Sequence, residues 1–220
     1  MENALILFLF SFFVTSAYSQ NLDRLGMDSL QIEAIPFHCV LLDEVREVKV
    51  LSKNAILMTA GKTTDLHNPV DGSYYRHNAP KFLFVPDENF EFSAKVKPAF
   101  ITKYDGGALV VYSDNETWAK ILLQYTEDKK SLLGISVVKN KITDDSYYDL
   151  FNSKEIYLRI TKKGAVLNFF ASVNGVSWIL LREFLYSKPE NIRIGFYTQS
   201  PIGNSCTVVF DNIIYERVLK

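Results

Sequence analysis

Several things are scarce in this sequence, and each absence narrows what the protein can be. Among 220 residues there are 24 Lys and Arg against 25 Asp and Glu, a formal net charge of −1. That balance leaves no basic surplus to neutralise phosphates, which argues against a nucleic-acid partner. The motifs of common catalytic machinery are missing. There is no nucleophile elbow, no His-Glu-x-x-His and no phosphate-cradling Gly-rich loop. Two of the three histidines, His67 and His77, stand ten positions apart in an irregular stretch, which is no recognised metal spacing. No helix-period stretch of useful length appears beyond the N-terminus, and no second apolar run is long enough to span a membrane.

The N-terminus reads as a targeting segment. Residues 4–14 are apolar except Ser11, the length of a signal-peptide core, and Ala17-Tyr18-Ser19 puts small residues at the positions a signal peptidase inspects. Cleavage before Gln20 is expected, so 1–19 is a signal peptide and the mature protein is secreted or otherwise extracytoplasmic, with no remaining membrane span. The segment departs from the usual form in that Met1-Glu2-Asn3 carries no Lys or Arg. The alternative, a membrane anchor, suffers from the shortness of the run, since a spanning helix needs ~20 residues. Outside the cytoplasm the two cysteines, Cys39 and Cys206, form a candidate disulfide. It would close if the first and last strands are neighbours; otherwise the two are separate buried thiols.

What is abundant is β structure. The sequence holds 16 Phe and 12 Tyr, residues that suit half-buried pleated surfaces. Phe90, Phe92, Ala94 and Val96 alternate with Glu91, Ser93, Lys95 and Lys97, the period-two pattern of a strand with one wet face. Comparable runs fall at 55–60, 81–85, 108–113, 118–126, 132–139, 156–162, 166–173, 177–184, 192–199 and 206–216. Turn signals separate them, among them Asp105-Gly106-Gly107, Lys163-Gly164 and Asn174-Gly175, the last being the strongest hairpin signal in the chain. Many short strands without helices imply an all-β fold, an antiparallel two-sheet sandwich or barrel. A polar arm over 20–34 would precede one domain at 35–220. The longest stretch without a strand signal is 61–79, and loops of that length in a compact domain tend to be functional.

Three constellations stand out. On the run that begins at Trp118, Ala119, Ile121, Leu123 and Tyr125 form one face and Trp118, Lys120, Leu122 and Gln124 the other. An aromatic ring, a cation and an amide on one open face suit a sugar, the ring stacking on it and the polar groups meeting its hydroxyls. Packing in a core is the competing account. The 61–79 loop gathers Asp65, His67, Asp71, Tyr74, Tyr75, Arg76 and His77, a candidate ligand-binding rim. Asp144-Asp145 could bind sugar hydroxyls or a structural calcium, or simply form a solvated turn. Asp211, inside an apolar last strand, is a second candidate calcium ligand; no other cofactor is indicated.

From about Pro36 to Tyr215 the chain resembles a family of uncharacterised concanavalin A-like jelly-roll domains, sometimes labelled "regulation of enolase" and related to the C-terminal sandwich of some β-xylosidases. The resemblance is carried, in family order, by Leu57-Met58-Thr59-Ala60 with Thr64-Asp65-Leu66, by Tyr104-Asp105-Gly106-Gly107-Ala108-Leu109, by Trp118-Ala119-Lys120, by Ser136-Val137-Val138 with Asp144-Asp145-Ser146, by the Asn174-Gly175 hairpin through Trp178, and by Arg193-Ile194-Gly195-Phe196-Tyr197 with Ser200-Pro201-Ile202-Gly203. It implies a jelly-roll sandwich of lectin or glucanase type with a concave sheet. It carries Asp65, Asp105, Trp118, Lys120, Asp144 and Asp145 over as ligand-binding positions, with Trp118 partly exposed in the groove. Gln124 stands where the family often has Glu; an amide can hydrogen-bond but cannot act as a carboxylate.

Glycoside hydrolysis normally needs two positioned carboxylates. The hydrolases of this fold take them from one strand with alternating acids, and no strand here has that pattern. Glu88 and Glu91 point to opposite sides if they share a strand. The expected function is therefore a secreted module that binds an oligo- or polysaccharide. A glycan-active enzyme of the same fold is the first alternative and a protein-interaction domain the second.

Overall fold

The computed structural model describes residues 30–128, 130–149 and 153–219. The expected signal peptide and most of the expected arm lie outside the described residues. Two antiparallel sheets of seven strands face each other. The first runs in the order β1 (Val40–Leu42), β6 (Lys81–Phe84), β15 (Arg193–Gln199), β8 (Gly106–Asp114), β9 (Thr117–Tyr125), β10 (Ser131–Lys139) and β11 (Ile142–Tyr148). The second runs β14 (Ile179–Leu185), β13 (Val166–Ser172), β12 (Ile156–Lys163), β7 (Phe90–Pro98), β16 (Ser205–Arg217), β3 (Ala55–Gly61) and β2 (Glu47–Ser52). The expected all-β sandwich is what forms. No helix among the described residues is long and apolar enough to cross a membrane.

The alternation read from the sequence sets which residues meet between the sheets. Phe90, Phe92, Ala94 and Val96 of β7 are fully buried, as are Ile156, Leu158 and Ile160 of β12. Phe196 of β15 packs on Phe92 and Phe210, with ring centroids 5.4 and 4.8 Å away. Each fully buried large apolar side chain of this kind stabilises the fold by roughly 1.5–3 kcal/mol. The sheets come close at Gly107, where an added Cβ would come within 2.5 Å of a Val208 methyl. That contact also fixes the faces. Gly107 pairs with Leu123, so the odd positions of β9 look into the interior and the even ones look away.

The domain begins earlier than expected. Ile32 and Ile35 are fully buried and the Ala34 N–H donates to Lys53 O at 2.9 Å, so residues from about 31 belong to the sandwich rather than to an arm. Cys39 and Cys206 are both buried and both free thiols, not a disulfide. The reason is topological. β1 pairs with β6 in one sheet while β16 pairs with β3 and β7 in the other, so the first and last strands are not neighbours. The hairpin at Asn174-Gly175 is wider than a two-residue turn. Only Gly175 has positive φ, because Asn174 Oδ1 accepts the Val176 and Ser177 N–H groups, both at 2.9 Å, and opens the loop. The tight turn with two left-handed residues is Asn140-Lys141, between β10 and β11.

Candidate functional site

The site is built by the segment that leaves β3 at Gly61 and returns at β6, here called the flap. It crosses the outer face of the first sheet instead of hanging in solvent. Thr64 bridges to Ser200 at the end of β15, its N–H donating to Ser200 O at 3.2 Å. A two-stranded ribbon, β4 (Leu66–His67) with β5 (Arg76–His77), forms its body. Leu66 and Ala79 pack in an apolar cluster with Tyr112, Trp118, Leu122, Val138 and Tyr197 of the sheet. At the far side Thr143 Oγ1 of β11 donates to Asn68 O at 2.5 Å.

Two buried lysines tie the flap down. Lys120 Nζ donates to Leu66 O at 2.6 Å and to Gln199 Oε1 at 3.3 Å, and lies 3.9 Å from Asp65 Oδ1. Lys81 Nζ donates to Ala79 O at 2.8 Å and His77 O at 3.3 Å and forms an ion pair with Asp43. Burial lowers both lysines from the ordinary value, against the pull of Asp65 and Asp145 on Lys120 and of Asp43 on Lys81. The Tyr197 hydroxyl closes a network beside Lys120. It donates to Gln199 Oε1 at 2.5 Å and accepts the Leu66 N–H at 2.8 Å, while Gln199 Nε2 donates to Tyr104 O at 2.8 Å. Burial raises the Tyr197 pKa well above the ordinary value, and Asp65 raises it further.

The flap covers only part of the face. Beside it lies a pocket of about 580 Å³, a size suited to a small ligand. Leu122 and Gly134 form its floor; Asp65, His67, Lys120, Gln124, Ser136 and Gln199 supply its polar groups, and Tyr74, Tyr104 and Tyr147 supply rings at its edge. Tyr74, Tyr104 and Tyr147 are each at least 41% exposed. Burial and the Lys120 charge lower the His67 pKa, outweighing Asp65 and Asp145, which raise it. A lowered value keeps the imidazole neutral near pH 7.

The expected site residues divide. Asp65, Lys120 and Gln124 line the pocket together. Trp118 shares their face but is 0% exposed beneath the flap, with Lys120 Nζ 5.5 Å from its ring centre, so it is core and not a stacking platform. Asp105 is also fully buried. Its carboxylate accepts the Ile101 and Thr102 N–H groups at 3.1 and 2.7 Å and the Ser200 hydroxyl at 2.8 Å, which makes it the staple of the turn that presents Tyr104. Asp144 and Asp145 lie in strand β11, not in a loop, and period-two alternation separates them. Asp145 pairs with Ser136, on the row of Lys120, whereas Asp144 forms an ion pair with Arg182 of β14. Asp211 forms an ion pair with Lys97. Among the described residues no three His, Cys, Asp or Glu side chains are grouped to hold a metal.

Sequence reasoning placed His67, Tyr74 and Arg76 on a candidate rim, and all three line the pocket. It missed Tyr197, Gln199, Ser136 and Tyr147. The available signal was parity. Tyr197 and Gln199 alternate with core-facing Ile194, Phe196 and Thr198, and β15 pairs with β8, the neighbour of β9.

Residues 42–218 match a family described as a protein of unknown function, DUF1349. The chain belongs to that family. Among curated proteins none matches this DUF1349 chain. Solved structures share its fold. A functionally unknown protein from Saccharomyces cerevisiae superposes with a TM-score of 0.74 at 18% identity, over 83% of this chain and 97% of that one. The GH43 protein BlXynB from Bacillus licheniformis gives 0.59 at 14% identity, over 73% of this chain and 32% of that one. A xylan β-1,4-xylosidase from Bacillus halodurans gives 0.56 at 15% identity, over 73% and 33%. The DUF1349 chain thus spans about a third of these two larger proteins.

Proposed function

We propose that this DUF1349 protein is a secreted module that binds carbohydrate in the flap-bordered pocket. The observation that carries the reading is the make-up of that pocket, where exposed tyrosine rings stand beside polar groups not consumed by the fold. Neither ring nitrogen of His67, nor the Gln124 amide, nor the Ser136 hydroxyl makes a side-chain hydrogen bond among the described residues, although all three line the pocket. Sugars need that combination, an apolar ring face for the C–H side and uncommitted donors and acceptors for the hydroxyls. Cations and acids are mixed around the rim, with Lys103 3.1 Å from Glu127, so no strong field of one sign selects a charged ligand. The fold likeness to part of a protein named as a xylan β-1,4-xylosidase directs the first screen towards xylo-oligosaccharides. Secretion rests on residues 1–19; N-terminal sequencing of the mature protein should begin at Gln20, and a retained Met1 would remove that part of the reading.

The binding reading is tested by calorimetry and glycan arrays on xylo-, cello- and manno-oligosaccharides. Binding at millimolar sugar or below, abolished by Gln124→Ala, is expected. Silence across the panel overturns it. One observation favours a second reading, an enzyme acting on glycans: His67 lines the pocket, and its lowered pKa leaves a deprotonated ring nitrogen that can accept a proton as a general base. Turnover of any panel sugar that is lost in His67→Ala would establish it, and binding without turnover would dismiss it.

A further inference from the structure

Resting on the carbohydrate reading, we propose that the pocket takes the end of a glycan chain and not an internal stretch. A groove that accommodates the middle of a chain must be open at both ends. Here the flap bars the pocket over β15, crossing that strand at the Thr64–Ser200 bridge with Leu66 packed onto the fully buried Tyr197, and only Gln199, Pro201 and Ile202 line the pocket on that side. The closure is anchored rather than incidental, because the Lys120 ammonium holds Leu66 O at 2.6 Å from below. The long side toward Trp118 is filled by the same segment as far as Asn68, which accepts from Thr143 on β11. The opposite end is open. β11 is the last strand of the sheet, and Tyr147 on it is 59% exposed at the pocket mouth.

The uncommitted polar groups lie inward of that mouth. Gln124 and Ser136 sit on β9 and β10, the strands between β11 and the closed end, and His67 sits on the flap above them. A terminal sugar entering past Tyr147 would offer its hydroxyls to these groups, and the rest of the chain would trail into solvent over the tyrosine ring. Specificity would then be read at one terminus. Chain length beyond the first few sugars would add little contact, because β11 is the last strand of the sheet that floors the pocket.

The experiment is a ladder of xylo-, cello- and manno-oligosaccharides from monosaccharide to hexamer, titrated by calorimetry into the mature chain. Alongside it, pull-down on the matching insoluble polymer is run before and after partial cutting by an endo-glycanase. Affinity should level off by the trimer, changing by less than about threefold from trimer to hexamer. Bound protein per mass of polymer should rise in proportion to the chain ends released. Tyr147→Ala should weaken the trimer more than the monosaccharide. Affinity that climbs steadily through the hexamer, or polymer capacity indifferent to new ends, overturns chain-end recognition while leaving carbohydrate binding intact. Silence along every ladder overturns the carbohydrate reading and this inference with it.

Discussion

The two sheets share one interior but differ on the faces they turn away from each other. On the second sheet the outer positions of β12 and β13 are exposed or half-exposed, except Ser172 at the end of β13, and alternate with buried ones. On the first sheet every residue of β8 from Gly106 to Tyr112, and of β9 from Thr117 to Leu123, is buried, because the flap covers what would otherwise be a wet face. The chain's two tryptophans sample the two cases. Trp118 lies under the flap with no exposed surface, while Trp178 lies half-buried on the other sheet with the Arg159 guanidinium 3.9 Å from its ring centre. A face that carries a flap can hold a walled pocket with polar groups kept out of bulk water. A bare pleated face offers only surface contacts.

The largest expected effect comes from the tryptophans. Trp118→Ala should destabilise the protein by about 3–5 kcal/mol, since it empties a buried aromatic site, whereas Trp178→Ala should cost about 0.5–1 kcal/mol, the scale of an exposed cation–π contact. Denaturant titration of the two variants checks this, and equal losses would erase the contrast between the sheets. Next in size is Ile121→Ala, on the interior side of the same strand as Trp118. It should cost ~2–5 kcal/mol, so that both faces of β9 behave as core.

A smaller effect isolates the flap. Lys120→Met keeps the bulk of the side chain but strands the Leu66 carbonyl, a loss of roughly 1–3 kcal/mol. Amide exchange should quicken across the flap and stay unchanged in β12 and β13; uniform quickening would mean that Lys120 supports the whole sandwich. The smallest effect is that of pH. His67 and His77 are both lowered from the ordinary value of 6.5, chiefly by burial, with Lys120 and Lys81 respectively adding to it. The unfolded chain takes up protons near 6.5 while the folded flap resists them. The stability these groups supply is therefore full above that value and lost as pH falls through their lower folded values. Thermal melts between about pH 7 and pH 5 should show a fall in Tm that is blunted in the His67→Gln, His77→Gln double variant. An unchanged slope would show that other groups govern the acid side.

The alternation in β7, β9, β12 and β13 made the sandwich legible in the sequence, because a period of two leaves little freedom in which side chain meets the other sheet. The faces of β9 were legible for the same reason; the resemblance grouped both Asp65 and Asp105 with Lys120, and only Asp65 lies near its ammonium. The exposure of Trp118 was not. It depends on a segment that contributes only Leu66 and Ala79 to the cluster above it, too few apolar residues to announce that it packs down. The warning lay beneath it instead. Ala108, Leu109, Val110, Val111 and Tyr112 are apolar at both parities, the mark of a strand buried on two sides. Asp144-Asp145 was hidden by composition, since acids are rare in strands except at an edge where one can face outward. Asp105 looked like a ligand because a buried carboxylate and a binding carboxylate carry the same letter, and only its backbone donors tell them apart.

The claim that the flap-bordered pocket is the binding site is tested most directly by fluorotryptophan NMR. Trp118 lies against Lys120 at the pocket, whereas Trp178, just before β14, lies against Arg159 of the opposite sheet. Titration with the tightest sugar from the panel should move the Trp118 resonance saturably, with the Kd measured by calorimetry, and leave the Trp178 resonance in place. A shift confined to Trp178 would put the sugar on the bare sheet and contradict the account.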